Sequence, residues 1–443
     1  MALSGLDIYK LLPKTNCREC GFPTCLAFAM QLAKKAVSIA KCPYLSQEAK
    51  EILEASAQPP IRLVSIGDGE RKLEVGNETV LFRHEEKFHH PCGLGFIIED
   101  SLPDAQIIQK LGHINGIEFE RVGQVLRPNL IAIRQNAGAE RFIEAVDLIS
   151  AKTKLPLALI SGDLKALRGA LGIVRDKKPL ICCATKDNVA EFAALARDSK
   201  AALAVSAPDL NTLSELTAEL KKQGVEDLVL NVNTAVSPER LWELVQLRRQ
   251  PLKKANRSLG YPALVIIDEK DPYEEIIEAA ACIAKYAGII LVKGTEPWQI
   301  LSLLTLRQNI YTDPQKPLQI EPRLYSVGQA DERSPLLVTT NFSLSYYTVL
   351  AEVEASKIPS YILSVDTEGM SVLTAWAAEK FTPDRIAESL DKFAARGSVK
   401  HNNIIIPGYV AVISGDLQEK SGWRVIVGPK EAAGIPSFLK NLQ

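Results

Sequence analysis

Between residue 93 and about residue 321, short continuous apolar runs alternate with amphipathic stretches. The runs fall at 95–98, 130–133, 156–160, 179–183, 201–205, 227–232, 263–267 and 288–292. Between them, 139–149, 189–196, 212–222, 238–247 and 273–285 carry apolar residues at helical spacing. A strand that is apolar at every position is buried on both faces, as in parallel sheets covered by helices. Eight such strands predict a (β/α)8 TIM barrel, with an open doubly wound sheet as the alternative. After the prolines Pro314, Pro317 and Pro322 a second α/β pattern begins near residue 323. Its strands are expected at 336–339, 361–365, 403–406, 410–413 and 424–427, with helices such as 343–355 and 370–378 between them. Upstream of the barrel, 62–88 alternates apolar and polar residues, and Gly76-Asn77 separates runs at 72–75 and 79–82, which predicts a β-hairpin. The pair Pro59-Pro60 closes an amino-terminal helical pattern. The organisation expected is therefore an amino-terminal domain at 1–58, a linker with a hairpin at 59–92, a barrel at 93–322 and an α/β domain at 323–443.

Composition narrows the function classes. The 443 residues hold 52 Lys+Arg against 53 Asp+Glu, a formal charge of −1, so neither a basic nucleic-acid binder nor a charged disordered chain is expected. The apolar runs fall short of the ~20 residues that span a bilayer, so no membrane partner is expected. Residues 1–14 lack a charged start followed by an apolar core and a small-residue cleavage site. A cytoplasmic protein is expected.

Four of the eight cysteines fall within the first 42 residues, at Cys17, Cys20, Cys25 and Cys42, a Cys-x2-Cys-x4-Cys-x16-Cys spacing. Three thiolates from one tight loop can take three corners of a cubane, with the fourth returning after a helix. The stretch 26–39, free of Gly and Pro, supplies that helix. Structural zinc is the rival, but it usually takes two Cys-x-x-Cys knuckles and only one is present. The pattern favours a [4Fe–4S] cluster. Cys182, Cys183 and Cys282 lie in apolar text and read as small buried hydrophobes. Cys92 follows a His-rich stretch whose mixed charges predict an exposed linker.

Several barrel strands run out into polar residues, including Arg134, Asn136, Asp163, Asn231, Asp268 and Lys293. The carboxyl ends of barrel strands are where sites are built, yet these residues are also good helix N-caps. No dyad or ligand spacing selects one chemistry there, and a docking role is favoured over catalysis. In the last domain the strand ends carry Thr339-Thr340-Asn341, then 366–371, then 428–434, all rich in small or hydroxylated residues. The crevice outside the carboxyl ends of an open α/β sheet is the expected ligand site. No GxGxxG, Walker or GxSxG text accompanies it.

The opening CRECGFPTCLAFA at 17–29 and KCPY at 41–44 are followed by the predicted barrel, LVTTNFSLSYYTVLAEVE at 337–354 and DTEGMSVLTAW at 366–376. Together they resemble the large (gamma) subunit of the corrinoid iron–sulfur proteins, which work with acetyl-CoA synthase/CO dehydrogenase in the reductive acetyl-CoA pathway. The resemblance implies a methyl carrier rather than a stand-alone enzyme, with a Rossmann-like corrinoid-binding domain at the carboxyl end. In such a carrier a cobamide in the Co(I) state accepts a methyl group from methyltetrahydrofolate through a separate methyltransferase and passes it to acetyl-CoA synthase. A [4Fe–4S] cluster on Cys17, Cys20, Cys25 and Cys42 returns oxidised Co(II) to Co(I). The corrin lies between the last domain and a small partner subunit of a heterodimer. Many corrinoid modules supply a lower ligand through Asp-x-His-x-x-Gly. This chain has no such text, and its one carboxyl-terminal histidine, His401, lies outside that context, which implies a base-off cobamide without a His ligand. By the same likeness, corrin contacts fall to Thr340, Tyr346, Met370, Ser371, Val372, Leu373 and Ala433. The residues alone read otherwise, as N-caps for Thr340 and Ser371 and as core packing for Tyr346, Val372 and Leu373. Two further readings stay open: an electron-transfer or docking subunit without its own corrin, and a methyltransferase whose barrel binds the pterin.

Overall fold

The structure, a computed structural model, describes residues 5–33, 36–50, 53, 59–232, 237–393 and 395–442. Two compact units emerge: Met1–Glu118 with Arg127–Tyr311, and Phe119–Leu126 with Thr312–Gln443. No helix among the described residues is long and apolar enough to cross a membrane.

The first unit opens with helices Gly5–Leu11 and Cys25–Ala33, packed through Ile8, Phe28 and Ala29. The second helix stops short of the stretch expected, and a 3-10 turn, Ile39–Lys41, capped by the Ser38 hydroxyl, carries the chain onward. A short antiparallel pair follows, β1 (Val64–Ile66) and β2 (Leu73–Val75). The hairpin therefore lies one step earlier than Gly76-Asn77 suggested. Gly76 instead marks a tight passage at φ +97°, where a Cβ would come within 2.0 Å of the Arg62 carbonyl. Val64, Ile66, Leu73 and Val75 form one apolar face, and that face belongs to the barrel core.

The barrel itself is closed and parallel. Its strands are β3 (Gly93–Glu99), β6 (Leu130–Arg134), β7 (Leu157–Ile160), β8 (Leu180–Ala184), β9 (Ala202–Ala207), β10 (Leu228–Val232), β11 (Ala263–Ile266) and β12 (Ala287–Val292), after β4 (Phe119–Arg121) and β5 (Gln124–Leu126) are set aside. All eight predicted runs became strands, and the doubly wound alternative falls away for this region. The interior is filled by residues of modest size, among them Ile97, Ala132, Ala158, Cys182, Ala204 and Val229. Gly67 donates to the Lys178 carbonyl and Gly93 meets Leu73, so the β1–β2 hairpin plugs the end where the strands begin. The His-rich stretch is exposed at 84–87, as expected, but is anchored at its far end. Phe88 and Cys92 are buried, and Glu78 accepts from the His89 and His90 amides at 2.9 and 3.1 Å. Burial pushes the Cys92 and Cys282 thiols up to about 12, in keeping with inert, hydrophobic cysteines.

The second unit is a five-stranded sheet of β13 (Leu324–Val327), β14 (Leu336–Thr340), β15 (Ser360–Val365), β16 (Asn403–Ile406) and β17 (Arg424–Val427), in the order β13-β15-β14-β16-β17. Only β13 runs antiparallel. One face carries Val338, Leu363 and Ile406 against helices Pro383–Lys392 and Ser414–Ser421; the other carries Leu337, Ile362 and Ile405 against Ser343–Ser356 and Ile435–Leu442. The expected strand at 410–413 is instead a 3-10 segment, Gly408–Ile413. There Val410 and Ile413 are buried while Val412 is 74 % exposed, the three-residue spacing of a tight helical turn. The hairpin β4–β5 also belongs to this sheet's core: Val122 packs with Ile320 and Tyr325, and Gly123, at φ +70°, passes against the Glu321 amide.

Candidate functional site

The cysteine loop owes its shape to backbone turns. Lys14, Asn16, Arg18 and Gly21 all take positive φ, and the Asn16 side chain accepts from the Cys25 amide at 2.8 Å. That bond ties the loop to the first residue of helix Cys25–Ala33, where the Thr24 hydroxyl accepts from the Ala27 amide. Cys25 is buried, Cys20 and Cys42 are half-buried and Cys17 is exposed. Burial raises the Cys42 thiol, and the charges of Cys20, Cys17 and Cys25 raise it further. A bound cation near Cys42 would relieve that repulsion, so the arrangement suits a cationic metal centre. Among the described residues no three His, Cys, Asp or Glu side chains stand at the spacing of a closed metal site. The fold gathers the sulfurs without fixing their ligand geometry. Phe22 and Phe28, with ring centres 5.6 Å apart, supply an apolar flank.

The second site lies where the strand order of the five-stranded sheet reverses, outside the carboxyl ends of β14 and β16. A cavity of about 290 Å³ opens there, walled by Leu337, Thr339, Val349, Ile405 and Ile435 and rimmed by Leu344, Ser371, Val372, Tyr409 and Lys430. The Thr339 hydroxyl is buried without a hydrogen-bond partner, as are those of Thr340 and of Ser364, which pairs with Thr339 across the sheet. Such groups normally find a partner, so an orphan on a cavity wall points to a ligand acceptor. Two loops meet backbone to backbone along one side: Gly408 donates to the Pro429 carbonyl at 3.0 Å. A Cβ on Gly408 would lie 2.6 Å from the Gly428 oxygen and 2.8 Å from the Lys430 nitrogen. Gly408→Ala is expected to destabilise this unit by about 1–3 kcal/mol through overpacking. An unchanged melting transition for the sheet unit would refute that close packing.

The residues assigned by resemblance do not all meet here. Ser371 and Val372 line the cleft. Thr340 is fully buried at the end of β14, Met370 is half-buried against the core, and Leu373 is exposed outside the cleft lining. Ala433 is exposed beside Ala432, which lines the cleft. Tyr346 turns elsewhere: its ring lies 4.8 Å from Tyr325, beside Arg323 and Glu120. His401 sits at the opposite end of β16, its ring bonded to the Ser334 carbonyl and the Asn403 amide. Tyr409 and Phe342 went unread in the sequence, although Ser345 and Thr348, polar at helical spacing on Ser343–Ser356, hinted at a surface facing a ligand.

At the barrel mouth, polar residues extend the inward-facing series, with Glu99 after Ile97 and Arg134 after Ala132. Arg134 lies 3.2 Å from Asp268, and Lys293 reaches both Asp268 and Glu99. The Lys293 ammonium holds the Asp268 carboxyl below its ordinary range. Each charge in this ring is matched by another.

Residues 63–439 match the family described as CO dehydrogenase/acetyl-CoA synthase delta subunit, and residues 12–44 match the family "Putative Fe-S cluster". The corrinoid/iron-sulfur protein large subunit of Moorella thermoacetica is 44% identical over 441 residues, 99% of each chain. The acetyl-CoA decarbonylase/synthase complex subunit gamma of Methanothermobacter thermautotrophicus is 35% identical, covering 100% of this chain and 99% of its own. Among solved structures, the dihydropteroate synthase of Thermus thermophilus aligns at 12% identity with a TM-score of 0.41, over 56% of this chain and 100% of that one. The chain therefore belongs to the family of corrinoid/iron–sulfur protein large (gamma) subunits of the acetyl-CoA pathway.

Proposed function

We propose that the chain is a methyl carrier whose four amino-terminal thiolates hold a [4Fe–4S] cluster and whose sheet unit holds a cobamide. When bound, the cobamide supplies a nucleophilic cobalt for methyl transfer, and the cluster supplies the electron that restores it after oxidation. The observation that carries this reading is the cleft at the strand reversal, with the orphan Thr339 hydroxyl on its wall. Of the residues proposed as corrin contacts, Ser371 and Val372 line it, while Thr340, Met370, Leu373, Ala433 and Tyr346 lie outside its lining. A cobamide carries peripheral amides, which are acceptors for such hydroxyls, and an apolar wall suits the macrocycle. His401 is engaged at the far end of β16, in keeping with a base-off cofactor without imidazole below the metal.

On this reading residues 1–58 form the cluster domain, 59–92 a connector, 93–322 the barrel and 323–443 the corrinoid-binding, Rossmann-like domain. The partners are a small subunit completing a heterodimer, a methyltetrahydrofolate methyltransferase, and acetyl-CoA synthase/CO dehydrogenase, all in the cytoplasm. The anaerobically purified complex with its small subunit is expected to contain four irons and one cobalt per heterodimer by elemental analysis. Iron without cobalt, and no methylation when methyltransferase and methyltetrahydrofolate are supplied, would favour an electron-transfer subunit instead. Pterin bound by the chain alone would favour a methyltransferase.

A further inference from the structure

We infer that Asn341 is a positioning residue for the cleft, holding the turn at 366–371 in the shape that presents Ser371 and Val372 to the bound group; this rests on the cobamide reading above. Asn341 is 1% exposed and follows the last residue of β14, at the point of strand reversal. Its side-chain oxygen accepts from the Thr367 amide at 2.9 Å, the Thr367 hydroxyl at 3.0 Å and the Gly369 amide at 3.0 Å. Its amide nitrogen donates to Gln319 and to Asp366, each at 3.2 Å. The capacity of one carboxamide is therefore used up within the protein, with every partner but Gln319 in the turn. Asn341 does not line the cavity, so it acts on a ligand through the turn it holds.

The turn needs holding. Glu368 and Gly369 both take positive φ, at 57° and 76°, and a non-glycine residue in that region is strained. The Thr367 hydroxyl, whose one proton is shared with Asn341, also lies 3.0 Å from the Met370 carbonyl, and the chain then runs directly into Ser371 and Val372 on the cleft wall. The Leu336, Val338, Leu363 and Val365 core is formed by other side chains. Loss of Asn341 should therefore be felt in the cleft before it is felt in the fold.

The test is titration of the full chain, purified with its small subunit and freed of corrin, with aquacobalamin followed by visible absorbance. Thermal unfolding is recorded in parallel. Asn341→Ala is expected to bind about tenfold more weakly, the scale of buried donors left unpaired. Asn341→Asp sets a carboxylate against Asp366 and is expected to weaken binding similarly. The exchange N341D/D366N restores an amide facing a carboxylate and is expected to bind within about threefold of the natural protein. If Asn341→Ala does not fold, the comparison of N341D with N341D/D366N decides. Equal affinity for those two, or Asn341→Ala binding like the natural protein, overturns the inference alone. Failure of the natural protein to bind aquacobalamin overturns the cobamide reading and this inference with it.

Discussion

Replacing Cys20 with alanine is expected to strip the amino-terminal region of iron while the cleft keeps its ability to take up corrin. A cubane of this type needs four thiolates, and Cys20 stands half-buried in the small core formed with Phe22, Cys25 and Cys42. Removing it leaves three sulfurs and one open corner. The cleft is built wholly from residues between Leu337 and Ile435, so its side chains are untouched. Reactivation by a low-potential electron donor should fall to background, whereas methyl transfer from chemically pre-reduced protein should continue. Iron analysis and the two assays, run on the same folded preparation, check this. A variant that retains full iron, or that loses both activities together, would mean that cluster and carrier roles are not divided as proposed.

The largest effect on stability is expected at Arg248. Its guanidinium is buried, donates to Glu78 at 3.0 Å and to the Val80 carbonyl, and lies 5.0 Å from the Phe88 ring. These contacts fasten segment 78–92 to helix Ser237–Lys253. Arg248→Met removes one partner of a buried pair and leaves Glu78 charged and enclosed, a loss of about 3–5 kcal/mol. Spread over the entropy of unfolding the whole unit Met1–Glu118 with Arg127–Tyr311, that loss should lower the melting transition by roughly 5–8 °C. The double variant E78Q/R248M should recover part of that loss, because no uncompensated charge remains. A shift of only a degree or two for Arg248→Met would show that the pair is not enclosed in solution.

The barrel was legible because eight strands buried on both faces leave eight uninterrupted apolar runs. Elements whose identity depends on distant partners were not. The run at 410–413 is as apolar as a strand, and only its three-residue burial pattern, visible in three dimensions, marks it as a turn. Leu324–Val327 escaped notice because Pro322 and Arg323 gave it the look of a link, although it forms the antiparallel edge of the sheet. Gly76-Asn77 has the text of a hairpin turn, whereas Leu73–Val75 pairs backward to Val64–Ile66. The four cysteines could be found because thiolate spacing is a local property. The cleft could be located only to its three strand ends, since which residues face it depends on helix Ser343–Ser356 and on the meeting of Gly408 with Gly428. Asn341 is visible as a polar residue in a strand-end cluster, but nothing in the text reveals that five hydrogen bonds converge on its side chain.

The β4–β5 hairpin carries a lesson for anyone cutting this gene. Eight residues encoded in the middle of the barrel, Phe119–Leu126, are folded into the other compact unit. A fragment beginning at residue 312 would lack Val122 and expose the apolar surface around Ile320 and Tyr325 that it covers. The matching fragment ending at residue 311 would carry a ribbon whose Val122 has lost the core it packs against. Independent expression of either half therefore calls for grafting that hairpin onto the carboxyl-terminal piece, not for a single scissor point between them.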